Sequence, residues 1–135
     1  MGMPKNVVMG LGLGTLLLAG TGALAGSKIV RNVYVSSSSA GGSAYGSLGN
    51  ARTSADTVQY IGCTTSSGSA GDMAMTCFAK TSGGITGTCT SRVPALVAAA
   101  QSVTADAYVE FRWDGTGACL QLTVSHASHY QPTVP

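Results

Sequence analysis

Apolar and polar residues alternate along this chain only in short runs, each followed by a cluster of turn-forming residues. The clearest run is "AYVEFRW". It sets Ala107, Val109, Phe111 and Trp113 on one side of an extended strand and Tyr108, Glu110 and Arg112 on the other. Asp114-Gly115 supplies a turn, and "CLQLTV" returns with Leu120, Leu122 and Val124 alternating with Cys119, Gln121 and Thr123. A β-hairpin is predicted there, with Trp113 in the core. A second hairpin is predicted from "MAMTCFAK" and "ITGTC", with Met73, Met75 and Cys77 on one face and Ile85 and Cys89 on one face of the return strand. Upstream, "ARTSADTVQYIGC" ends in a strand with Val58 and Tyr60 opposite Ile61 and Cys63. Helical spacing occurs in "SRVPALVAAAQSV". Pro94 suits a first turn, the alanines favour a helix, and Leu96, Val97, Ala100 and Val103 form a stripe.

The beginning is less regular. "KIVRNVYV" (28–35) alternates imperfectly, with Ile29, Val33 and Val35 sharing a face with Arg31, and Val30, Asn32 and Tyr34 opposite. Residues 36–49, "SSSSAGGSAYGSLG", are low in complexity and are expected to be a flexible linker or an irregular loop. Before them, "MGMPKNVVMGLGLGTLLLAGTGALA" combines Lys5, an apolar stretch and Ala23-Leu24-Ala25. That is the pattern of a secretory signal peptide cut after Ala25. The expected organisation is a signal peptide over 1–25, an N-terminal strand and linker over 26–50, and a β-rich domain over 51–135. The fold class expected is mainly β, an antiparallel sheet or sandwich with one short helix and two disulfides.

Charge excludes two kinds of partner. The chain carries 7 basic and 5 acidic side chains, and one of the basic ones, Lys5, lies in the leader. So few and scattered cations would not gather phosphates, so nucleic acid is not an expected partner, nor is a membrane after signal cleavage. Serine, threonine and glycine dominate after residue 25, which predicts a neutral, hydroxyl-rich surface. A core with so few aromatic residues needs covalent support.

Cys63, Cys77, Cys89 and Cys119 provide it. In an exported chain, four cysteines imply two disulfides with three possible connectivities. There is no C-x-x-C pair and no zinc-like spacing, so neither a metal nor a cofactor is expected. The "MAMTCFAK"/"ITGTC" hairpin would bring Cys77 to Cys89, which leaves Cys63 to pair with Cys119.

Candidate chemistry is sparse. His126 and His129 in "SHASHY" lack a G-x-S-x-G serine, and Asp72, Asp106 and Asp114 lie in turn-like contexts, so a hydrolytic triad is not expected. As metal ligands, the two histidines have a spacing that a strand would split between faces. Glu110, between Tyr108 and Arg112, reads as a cross-strand ion-pair partner. Tyr34, Tyr60, Tyr108 and Tyr130 are candidates for a carbohydrate-binding face, because flat rings stack on sugars. An enzyme is not expected.

"GSLGNARTSADTVQYIGC" (46–63), the four cysteines, "PALVAAA" (94–100) and "SHYQP" (128–132) together resemble a group of small secreted proteins of Gram-negative bacteria. That resemblance covers most of the chain after residue 25. It implies export, a bacterial source and two disulfides, and brings no activity with it.

Two functions remain. One is an extracellular or periplasmic structural or adhesive subunit that self-associates into fibres. Its assembly strand would be Ile29, Val30, Val33, Tyr34 and Val35, reaching a neighbour's sheet edge on the linker. The alternative is a small secreted binding module for a glycan or a protein.

Overall fold

The computed structural model describes Gly2 and residues 26–130, so the expected signal peptide at 1–25 lies outside the described residues. Among the described residues, seven strands and two short helices follow one another: β1 Tyr34–Ser38, β2 Gly41–Ser47, α1 Leu48–Thr53, β3 Tyr60–Ser67, β4 Met73–Lys80, β5 Thr86–Ser91, α2 Pro94–Gln101, β6 Tyr108–Asp114 and β7 Cys119–Ser125. They form two antiparallel sheets, one ordered β1-β2-β6-β7 and the other β3-β4-β5. The fold is mainly β, as the alternating runs predict.

The inner faces of the sheets meet over one core. Val35, Ala44, Val109, Phe111 and Trp113 come from the larger sheet, and Ile61, Met75, Cys77, Ala79 and Cys89 from the smaller. Helix α2 contributes Val97 and Ala100, and Leu96 and Val103 pack against the core more loosely, as its stripe predicts. Its first turn holds Pro94, and the Ser91 hydroxyl accepts the Val93 N–H just before it at 3.0 Å. α1 is an additional helix, too short to show a period in sequence.

Residues 41–47 correct the expected linker. This stretch is β2, an inner strand paired with β1 on one side and β6 on the other. Its small residues are what the packing requires. A Cβ on Gly42 would collide with the Trp113 indole and the Ser36 carbonyl, and one on Gly87 of the opposite sheet would also strike Trp113. The indole is thus inserted between two glycine strands, and side chains large enough to show an apolar pattern would not fit. Gly41 has φ +126°, a conformation for which glycine is suited, where the chain leaves the β1–β2 turn.

The strand expected over 28–35 lies later in the chain. Pairing begins at Tyr34 rather than Lys28, and β1 forms a hairpin with β2 of its own chain. Val33 and Val35 are buried in the molecule's own core, whereas Val30 is 62% exposed outside any strand. Ile29 makes an isolated parallel bridge to Tyr130, with its N–H donating to the His129 carbonyl at 2.8 Å. Arg31, Asn32 and Val33 therefore run along the domain as a cover. The Val33 N–H is received by the Gln59 side-chain carbonyl at 3.0 Å.

The disulfides join Cys63 to Cys77 and Cys89 to Cys119, correcting the expected pairing. Cys77 does stand opposite Cys89 in the β4–β5 ladder, but it also stands opposite Cys63 in β3–β4. Opposed residues of an antiparallel ladder alternate between a wide hydrogen-bonded pair and a narrow non-hydrogen-bonded one. The Cys63 and Cys77 Cα atoms are 4.0 Å apart, which marks the narrow pair. In a central strand the N–H and C=O of one residue point the same way, so Cys77 directs both toward β5. Cys89 is thereby left at the wide position and bonds across the core to Cys119 on the other sheet. A parallel bridge between Thr90 and Ala118 adjoins this link.

A register shift between Arg112 and Trp113 changes the return strand as well. Trp113 pairs with Cys119 while Arg112 pairs with Gln121, so Leu120 is the extra residue of a bulge. Leu120 is 64% exposed and Cys119 turns inward, the reverse of the simple alternation.

Candidate functional site, a row of tyrosines on the larger sheet

The outer face of the larger sheet collects aromatic side chains from four separate parts of the chain. Tyr34 on β1 is directly opposite Tyr45 on β2, and their rings stack with centroids 5.1 Å apart and planes 24° from parallel. Tyr45 leads to Tyr108 on β6, at 6.3 Å and 36°. Tyr108 stacks on Tyr130 at 5.0 Å and 11°, and the His129 ring lies 4.3 Å from that of Tyr130. The Ile29–Tyr130 bridge holds the last ring in place.

Near-parallel rings touch at about 3.5–4 Å. Centroid separations near 5 Å therefore mean that the rings are offset like shingles, each leaving part of a face and an edge uncovered. Tyr34, at the outer end, is 48% exposed, and the other three are half-buried. Between and beside the rings stand groups able to exchange hydrogen bonds. Glu110 is opposite Tyr45, Arg112 is opposite Ser43 on one side and Gln121 on the other, and Thr123 is opposite Glu110.

Tyr108 is the electrostatic centre of the row. Its hydroxyl donates to Glu110 Oε2 at 3.1 Å. Burial, then the hydrogen bond to the Glu110 carboxylate and its negative charge, hold the phenol well above the usual tyrosine range, and Arg31 opposes them weakly. The hydroxyl is thereby kept as a neutral donor.

The expected carbohydrate face is partly redrawn. Tyr34, Tyr108 and Tyr130 come together, but Tyr60 lies on the other sheet, where its ring packs edge-on against Phe78 at 5.9 Å. Tyr45 takes its place. It was hidden within the apparent linker, and the only available signal was its period-two spacing with Ser43 and Ser47. His126 and His129, not expected to act as a triad or as metal ligands, lie with His126 Nδ1 3.2 Å from the Thr104 hydroxyl and the His129 ring against Tyr130. Asp114 holds its own turn through the Thr116 hydroxyl and the N–H groups of Thr116 and Ala118, and those bonds lower its pKa. Asp72 lies 3.5 Å from Arg92, and Asp106 lies 3.7 Å from Arg52. Among the described residues, no group of three or more His, Cys, Asp or Glu is placed to hold a metal ion.

No family model matches this chain, and no curated protein or solved structure matches it either. Two further facts bear on location. Both disulfides suit an oxidising compartment, extracellular or periplasmic. No helix among the described residues is long and apolar enough to cross a membrane.

Proposed function

We propose that the protein is an exported adhesive module that holds glycans against the tyrosine row of its larger sheet. The observation that carries this reading is the convergence of Tyr34, Tyr45, Tyr108 and Tyr130 into one shingled line. Sugar rings offer C–H faces that pack on aromatic carbon, and equatorial hydroxyls that need planar partners. Glu110, Arg112 and Gln121 supply such partners along the same face. Disulfide cross-links and a nearly neutral surface suit work outside the cell.

The test is a binding screen of the chain from Gly26 onward against soluble oligosaccharides and insoluble polysaccharides. Tyr45→Ala and Tyr108→Ala each weaken binding about tenfold, corresponding to roughly 1.4 kcal/mol. Tyr60→Ala, on the opposite sheet, leaves it unchanged. Equal loss in all three variants, or no glycan bound, overturns the reading.

A second reading keeps the structural subunit. β1 is the outermost strand of its sheet, so self-association into fibres would proceed by edge-to-edge pairing at Tyr34–Ser38, without exchange of the strand. Light scattering separates the two: assemblies that grow with concentration and are abolished by Ser36→Pro favour the subunit.

A further inference from the structure

The tyrosine row ends at a pocket. Tyr130 lines it together with Lys28, Thr104, Asp106, His126 and Ser128, around a volume of about 370 Å³. The same ring is therefore the last step of the row and one wall of this recess. Resting on the glycan-binding reading, we propose that the pocket takes an anionic substituent of the sugar that follows Tyr130, so that the module selects acidic over neutral glycans.

The chemistry of the walls carries the argument. Lys28 brings a full positive charge on an exposed side chain. Asp106 is the one acid among the walls, and Arg52, which lies 3.7 Å from its carboxylate and donates to the Ala105 carbonyl at 2.6 Å, leaves two cations against one acid at this end of the row. Glu110 lies farther along the row, on the Tyr108 hydroxyl, and is not a wall of the recess. The Thr104 hydroxyl and His126 Nδ1 lie 3.2 Å apart, and Ser128 adds a second hydroxyl. One ammonium and several short donors around a shallow recess fit a compact oxyanion. A neutral sugar in the same place would leave the Lys28 charge without a counterion from the ligand.

Carboxylate, sulfate and phosphate substituents share that chemistry, and titration calorimetry at low salt distinguishes them. The probes are an oligouronate, the same oligomer with its carboxyls reduced to alcohols, a sulfated neutral oligosaccharide, and inorganic phosphate alone. The expected result is about tenfold tighter binding of the oligouronate, the sulfated oligosaccharide or both than of the reduced oligomer. In Lys28→Ala that ratio falls to near one, and in Thr104→Val it falls part of the way. Lys80→Ala, on the other sheet, leaves the ratio and the affinities unchanged. Equal binding of all the oligosaccharides to the unmodified protein overturns the pocket while leaving the tyrosine row standing. Binding of phosphate but of no oligosaccharide overturns both, as does no binding at all.

Discussion

Cys77 and Cys89 face each other across the β4–β5 ladder, yet each is bonded to a different strand. The two disulfides therefore do different work. Cys63–Cys77 reinforces one sheet from within, whereas Cys89–Cys119 is the covalent link between the two sheets.

Peptide mapping without reduction should recover Cys63–Cys77 and Cys89–Cys119 peptides. On the chain-entropy account, loops of 14 and 30 residues correspond to about 3 and somewhat under 4 kcal/mol. Replacing Cys89 and Cys119 together by alanine should accordingly lower the denaturation midpoint more than replacing Cys63 and Cys77. A Cys77–Cys89 peptide would contradict the register argument.

Gly42 is expected to be as sensitive as a core residue. Gly42→Ala forces the Trp113 indole out of its slot, and overpacking of this kind costs about 1–3 kcal/mol. Urea denaturation followed by Trp113 fluorescence reads both the stability and the displaced ring, because the chain has a single tryptophan. Gly71→Ala gives the contrast, since nothing lies within 4 Å of its added Cβ and the cost comes only from φ +83°.

Asp56 makes the fold sensitive to acid. Its carboxylate receives the N–H groups of Gln59 and Val58 and the Gln59 side-chain amide, and these bonds hold its pKa at about 2, against an ordinary 3.8. A depressed acid stabilises the fold fully above its unfolded pKa and loses that contribution as pH falls through the folded one. Melting temperature should thus fall as pH drops from about 4 to about 2. Asp56→Asn should be less stable at neutral pH and show a shallower decline through that window. The same substitution should loosen the Val33 contact, because Asp56 orients the Gln59 amide that receives it.

Tyr108 should be the last phenol to ionise. Spectrophotometric titration of the five tyrosines is expected to show one group lagging at high pH, and Tyr108→Phe should remove that phase. Glu110→Gln should bring it earlier, because the carboxylate no longer repels the phenolate. A lagging phase that persists in Tyr108→Phe would mean that the row does not shield its central ring.

What could be read in the sequence was set by side-chain size. The β6–β7 and β4–β5 hairpins were legible because Val109, Phe111, Met75 and Cys77 are large enough to mark a buried face. β2 was not legible, since its apolar neighbour is an indole from another strand and its own contribution is space. The cysteine register could be anticipated, but not its phase, because narrow and wide pairs look identical in one dimension. The bulge that turns Leu120 outward left no sequence mark, and three of the four tyrosines were found by type alone.

The parallel bridge between Ile29 and Tyr130 ties two segments far apart in sequence into a clasp, fastened by a few atoms at the rim of the sandwich. An aminopeptidase or carboxypeptidase nibbling past these points would leave both sheets and both cross-links in place. It would also dismantle the end of the aromatic row and the recess beside it. A protein cut in this way would keep its cross-linked core and would have let go of its surface.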